Sequence, residues 1–138
     1  MKYLLIAVLL CTFGTHNNSS DLTIEIMNIE QTKGKIRIGV YNDADKFPKE
    51  GGAIRSESFE VRGKILKCVL KNLPYGEYAI ALYHDINDDN VCNMNFVGMP
   101  LEPYGFSNNA KPKLSAPSFT STKFKFNQPA QISISLQK

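Results

Sequence analysis

Apolar residues at every second position, in several separate stretches, constrain this chain more than any other feature. Leu22-Thr23-Ile24-Glu25-Ile26 alternates apolar and polar and runs on to Ile29, and Lys35 to Asn42 alternates again through Ile36, Ile38 and Val40. Successive side chains on a strand point to opposite faces, so this period describes strands with one face buried and one wet. The same reading covers Glu57 to Val61, Ile65 to Leu70, Phe119 to Phe126, and a last stretch through Ile132, Ile134 and Leu136, while Glu77 to Tyr83 is mostly apolar and reads as a central strand. Turn signals separate them: Lys33-Gly34, Arg62-Gly63, and Asn72-Leu73-Pro74-Tyr75-Gly76, where proline sets φ and glycine is free to take positive φ. About seven short strands with no amphipathic helix predict an all-β fold, an antiparallel sandwich of the immunoglobulin-like or transthyretin-like kind. The first two strands are expected to pair as a hairpin.

With 138 residues and 43% of them hydrophobic, the chain can bury one core without depending on disulfides. No linker or repeat divides it, so residues 21–138 read as a single domain. It has no Trp, which leaves Tyr and Phe to supply the large apolar side chains. The formal net charge is +3, and the basic residues alternate with apolar ones, as in Lys33, Lys35 and Arg37. That is the pattern of a solvated strand face. A clustered basic stripe with stacking aromatics is missing, so no nucleic-acid partner is expected.

The first 20 residues read as a leader. Met1-Lys2 precedes the apolar run Tyr3 to Leu10, and polar residues follow from Thr15. A positive start and a short apolar run describe a secretory signal peptide, and the run is too short to cross a membrane. Export to a periplasmic, cell-surface or extracellular location is therefore expected. Cys11 opens a second possibility, a lipid anchor, although Leu10 stands where such a leader has a small residue. In an oxidising compartment Cys68 and Cys92 form a possible disulfide; two unpaired small apolar side chains are the alternative.

Residues 84 to 117 form a long segment rich in Asn, Pro and Gly. Loops of that length inside a domain are generally functional or disordered, and Phe96, Val97, Met99, Leu101, Tyr104 and Phe106 are too apolar for disorder. The segment is expected to be one long ordered loop.

Its start, His84-Asp85-Ile86-Asn87-Asp88-Asp89-Asn90-Val91-Cys92-Asn93, places Asp85, Asn87 and Asp89 at alternate positions. Asn90 suits a left-handed turn, the Val91 carbonyl faces the same point, and Asn93 stands where a ninth loop ligand would. Calcium takes hard oxygen ligands, so Asp85, Asn87, Asp89, Val91 and Asn93 are the candidate metal ligands. Phe96 stands where such a loop has a bidentate Glu, Asp88 points away, and Glu102 is placed to fold back. With only two carboxylates, affinity is expected to be weak, on the order of 0.1–1 mM. The alternative is a polar turn held by Asp and Asn hydrogen bonds.

Zinc at His84, Asp85 and Cys92 lacks both the usual spacing and a fourth ligand. Ser107 is not on a strand-to-helix elbow, so a hydrolase triad with His84 is not supported. His84 with Asp85 or Glu102 remains a candidate acid–base pair.

Several stretches carry a family resemblance: Leu73-Pro74-Tyr75-Gly76-Glu77-Tyr78, His84-Asp85-Ile86-Asn87, Gly98-Met99-Pro100-Leu101-Glu102, and Tyr104-Gly105-Phe106-Ser107-Asn108-Asn109, with Pro117-Ser118-Phe119 and Phe124. On these the chain resembles a bacterial family of exported proteins, domain of unknown function 2141. The resemblance implies export and assigns no reaction. Where that family has an Asn-Gly turn and then an Asp, this chain has Asp89-Asn90 and Asn93. The Leu73-to-Tyr78 turn also resembles one in transthyretin-like and collagen-adhesin-type sandwiches, which bears on the fold alone.

The resulting expectation is an exported, non-catalytic binding or structural module, with a calcium-braced loop presenting a surface to a glycan, peptide or envelope protein. His84, Glu102, Tyr104 and Phe106 are the candidate surface residues; for the two aromatics, packing of the loop is the alternative. An enzyme using His84 and a carboxylate, or a small-molecule carrier with a pocket between the sheets, are the other readings.

Overall fold

A computed structural model describes residues 18–138. The leader and Cys11 lie outside the described residues. The elements are β1 (Ser19–Met27), β2 (Lys35–Tyr41), β3 (Arg55–Glu60), β4 (Leu66–Pro74), β5 (Gly76–Asp85), β6 (Tyr104–Phe106), α1 (Phe119–Thr122), β7 (Phe124–Phe126) and β8 (Ala130–Ser135). One sheet has the order β4-β1-β8, and the other runs β3-β2-β5-β6, with β7 also pairing β5. No helix among the described residues is long and apolar enough to cross a membrane.

The period-two pattern places the core. Leu22, Ile24 and Ile26 of β1 are fully buried and face Ile36, Ile38 and Val40 of β2 and Ile80 and Leu82 of β5 across the sandwich. Cys68, Leu70 and Leu73 of β4, Phe126 and Ile134 complete the layer. Along β5 the even-numbered residues therefore face the core. The odd-numbered ones face outward, where a second apolar cluster forms from Tyr41, Phe47, Ala79, Tyr104 and Phe106. The loops after β2 and β6 cover that outer face.

The structure corrects four details of the sequence reading. β1 and β2 are not a hairpin: β1 pairs β4 and β8, while β2 pairs β3 and β5. Alternation makes a strand but does not choose its partner. The β1–β8 pair is parallel, so the sandwich is not purely antiparallel. Phe119 to Phe126 is not one strand: Ser118 caps a single helical turn by accepting from the Ser121 amide at 3.1 Å, and only Phe124–Phe126 is extended. The long segment is also interrupted by β6, an edge strand pairing Ala81 to Tyr83, which brings the count to eight strands among the described residues.

Gly34 is the turn that matters most for the site. Its φ is +70°, and a Cβ there would fall 2.1 Å from the Asp85 carbonyl oxygen. Only a glycine lets the β1–β2 connection lie against the end of β5.

Candidate metal centre

The site grows from the end of β5. In the antiparallel β2–β5 pair, Lys35 is opposite Asp85 and Arg37 is opposite Tyr83. Odd-numbered residues of both strands share the outer face, so Asp85 has Lys35 beside it and Arg37 diagonal to it. Arg37 Nε donates to Asp85 Oδ2 at 2.5 Å, and Arg37 Nη2 donates to Asp88 Oδ1 at 2.8 Å. Lys35 pairs with Asp88 at 3.1 Å. Asp88 is thus turned to the cations, as its even position in the loop implied.

Beyond Asp85 the chain makes a tight turn around that carboxylate. Asp85 Oδ1 accepts from the Asp89 amide at 3.1 Å and Oδ2 from the Asn90 amide at 2.9 Å. Asp88 and Asn90 take φ of 55° and 63°, the left-handed region that Asp and Asn tolerate. Asp89 Oδ1 accepts from the Val91 amide, and Oδ2 accepts from the side-chain amides of Asn87 and Asn93 at 3.1 and 3.0 Å. These hydrogen bonds, the Asn93 side chain first and the Val91 amide next, hold the Asp89 carboxyl below its ordinary range.

Glu102 returns to this turn from the far end of the segment. Asp85, Asp89 and Glu102 each place a carboxylate oxygen within 4.8 Å of the others. Glu102 is only 9% exposed; its Oε1 accepts from the Ile86 amide at 3.2 Å, while its buried Oε2 has no partner. Burial pushes the Glu102 carboxyl up, the Ile86 amide bond and the nearby Asn93 amide oppose this, and the charges of Asp85 and Asp89 add to it.

Of the candidate ligands, Asp85 and Asp89 converge, and Glu102 joins them. Asn87, Val91 and Asn93 are brought in as donors to Asp89, through their side-chain or backbone N–H groups. Arg37 was read as part of a solvated face; its role depends on the β2–β5 register, which no local pattern carries.

The other candidates separate. His84 points to the opposite face of β5 from Asp85, is fully buried, and bonds the Lys33 carbonyl through Nε2 at 2.7 Å, leaving Nδ1 unpartnered. It does not converge with Asp85 and Glu102, because neighbouring strand residues face opposite ways. Tyr104 and Phe106 are not presented to solvent. They are buried and pack edge-on with ring centroids 5.9 Å apart, and Phe47 meets Phe106 at 6.1 Å. Ser107 is buried too: its Oγ accepts from the Ile80 amide and donates to the Thr122 carbonyl. The disulfide is also corrected. Cys68 and Cys92 are both free, one buried between the sheets on β4 and the other half-buried in the loop beyond β5.

A groove of about 660 Å³ lies on the outer face of the larger sheet rather than between the sheets. Gly39, Ala81 and Ser58, with small side chains or none, line it together with Tyr83, Met94 and Met99. Burial pushes the Tyr83 phenol up to about 12.

The family model described as "uncharacterized protein conserved in bacteria", domain of unknown function 2141, matches residues 24–134. The chain belongs to this family. The match runs from β1 into β8 and includes the whole 85–102 segment, so the turn around Asp85 and the returning Glu102 lie inside the family domain. Comparison with curated proteins and with solved structures gave no match.

Proposed function

We propose that this chain is an exported, non-catalytic binding module whose 85–102 segment is braced by calcium at Asp85, Asp89 and Glu102. One observation carries the reading: Glu102, which has one buried oxygen without a partner, shares a cluster with Asp85 and Asp89 in which one carboxylate oxygen of each lies within 4.8 Å of the others. An orphaned buried acceptor is costly, and three mutually repelling carboxylates add to that cost. A divalent cation with oxygen ligands removes both penalties at once. Arg37 already neutralises part of the charge, which fits weak rather than tight binding. The leader-like run from Met1 to Leu10 supports export.

The test is a thermal melt in EDTA and in about 5 mM calcium, for the parent and for Glu102→Gln and Asp89→Asn variants. A dissociation constant on the order of 0.1–1 mM stabilises the parent by about 1–2.5 kcal/mol, because only the folded chain binds. Both variants lose that response. A parent that melts identically in EDTA and calcium rejects the metal.

The second reading, a small-molecule carrier, is favoured by the groove on the outer face, whose volume suits a small ligand. Val91, Met94 and Met99 belong both to the groove wall and to the segment that Asp85 and Glu102 bracket. A braced loop would therefore also hold that wall in place.

A further inference from the structure

The tip of the braced segment has a character of its own. Of the eight large apolar side chains exposed among the described residues, Val91, Met94, Phe96, Val97 and Leu101 fall within one stretch of loop. Phe96 is 101% exposed, with nothing of the protein covering it. From Val91 to Leu101 there is not one Asp, Glu, Lys, Arg or His. The charges stop at the base, with Asp85, Asp88 and Asp89 before the tip and Glu102 after it.

The backbone of the tip is turned in on itself. The Asn95 amide donates to the Met99 carbonyl and the Gly98 amide to the Asn95 carbonyl, at 2.8 and 3.0 Å. Val97 and Met99 donate to the Asn95 side-chain oxygen, both at 3.0 Å, and Leu101 donates to the Asn93 carbonyl at 2.7 Å. Met94 and Pro100 close this as a short antiparallel bridge. A Cβ on Gly98 would meet no atom within 4 Å, so the turn is open on that side, and Phe96 beside it projects free of the protein.

We propose that this tip inserts into the surface of a lipid bilayer. Three features favour a bilayer over a protein partner. Entry into an apolar phase favours backbone polar groups that are satisfied internally, and the Asn95, Val97, Gly98, Met99 and Leu101 amides are. It penalises every charge, and the tip has none. A projecting apolar knob fits a deformable lipid surface, whereas a protein partner for it would need a matching pocket and a polar rim. The proposal does not depend on bound metal.

The chain has no Trp, so Phe96→Trp installs a single indole at a position where it displaces no packing. Emission is recorded with phosphatidylcholine vesicles, with and without phosphatidylglycerol, in EDTA and in calcium. A Leu114→Trp variant is the control, because Leu114 is also 101% exposed but lies among Lys111 and Lys113, outside the tip. Insertion is expected to shift the Phe96→Trp emission to the blue and to expose it to quenching by brominated lipid. The Leu114→Trp emission stays unchanged. Adding Val97→Ser and Leu101→Ser to Phe96→Trp is expected to weaken vesicle partition about tenfold or more, with the melt confirming that the fold is kept.

Unchanged Phe96→Trp emission in a folded protein overturns the proposal, as does an equal shift from Leu114→Trp. A blue shift that grows with protein concentration without vesicles, with dimer in sedimentation, also overturns it and makes the tip a self-association surface. Insertion in EDTA as well as calcium leaves the lipid reading standing even if the melt shows no metal response. A metal response without insertion rejects the lipid reading alone.

Discussion

Arg37 Nε donates at 2.5 Å to a carboxylate oxygen of Asp85, and the Asp85 side chain is wholly buried. The pair joins neighbouring strands at the point where β5 gives way to the 86–103 loop. Asp85 also receives the Asp89 and Asn90 amides, so one carboxylate organises the turn and Arg37 compensates its charge.

Removing Arg37 leaves Asp85 buried without its cation. Arg37→Gln is expected to cost about 3 kcal/mol in urea unfolding. The calcium-dependent gain in stability should become larger than in the parent, because the metal then supplies the missing positive charge. An unchanged calcium response would mean that Arg37 and the ion do not share Asp85.

Glu102 carries the opposite sign. Burial raises its carboxyl, so ionisation is less favourable in the fold than in the unfolded chain. Its contribution is therefore fully present at acid pH, below the ordinary carboxylate value, and is lost as pH rises through the raised folded value. In EDTA at pH 7, Glu102→Gln should be more stable than the parent by about 1 kcal/mol. The difference should vanish below about pH 4, where the parent is also protonated. Denaturant titrations at several pH values check this.

Gly34→Ala meets both a left-handed backbone and the Asp85 carbonyl, 2.1 Å from the new Cβ. The backbone conformation alone costs about 1–2 kcal/mol, and relief of the clash must move the end of β5. The variant should lose at least that much stability and should lose the calcium response with it. Gly51→Ala, also at positive φ but with open space around it, should lose only the conformational part.

The cysteines should be slow to react. Burial pushes the Cys68 thiol up to about 12 and the Cys92 thiol up to about 11. At pH 8 both are protonated, and the thiolate is the reactive form. Peptide-level mass spectrometry after iodoacetamide should find Cys92 modified slowly and Cys68 untouched in the native protein, and both modified in urea. A Cys68–Cys92 disulfide peptide would contradict the structure.

Much of the fold was readable along the chain. The alternation through Leu22, Ile24 and Ile26, or Ile36, Ile38 and Val40, needs no partner to declare a half-buried strand, since side-chain period is a local property. The Asp85-to-Asn93 turn was readable for the same reason: its hydrogen bonds span at most five residues. Phe119 to Phe126 misled because alternation also continues across a capped helical turn, and Ser118 decides the difference.

What the sequence determined by itself was therefore the all-β class, the strands of the core, the polar turn after β5 and the charge-free stretch from Val91 to Leu101. Tertiary structure alone decided that β1 leaves β2 for β4 and β8, that Arg37 meets Asp85, and that Glu102 returns to within reach of Asp85 and Asp89. It also turned Tyr104 and Phe106 inward and set His84 on the far side of β5 from the acids. Local order follows from dihedral preference and side-chain period. These other relationships depend on register and on how loops fold back over a sheet, and residues far apart in the chain fix both only when they pack together.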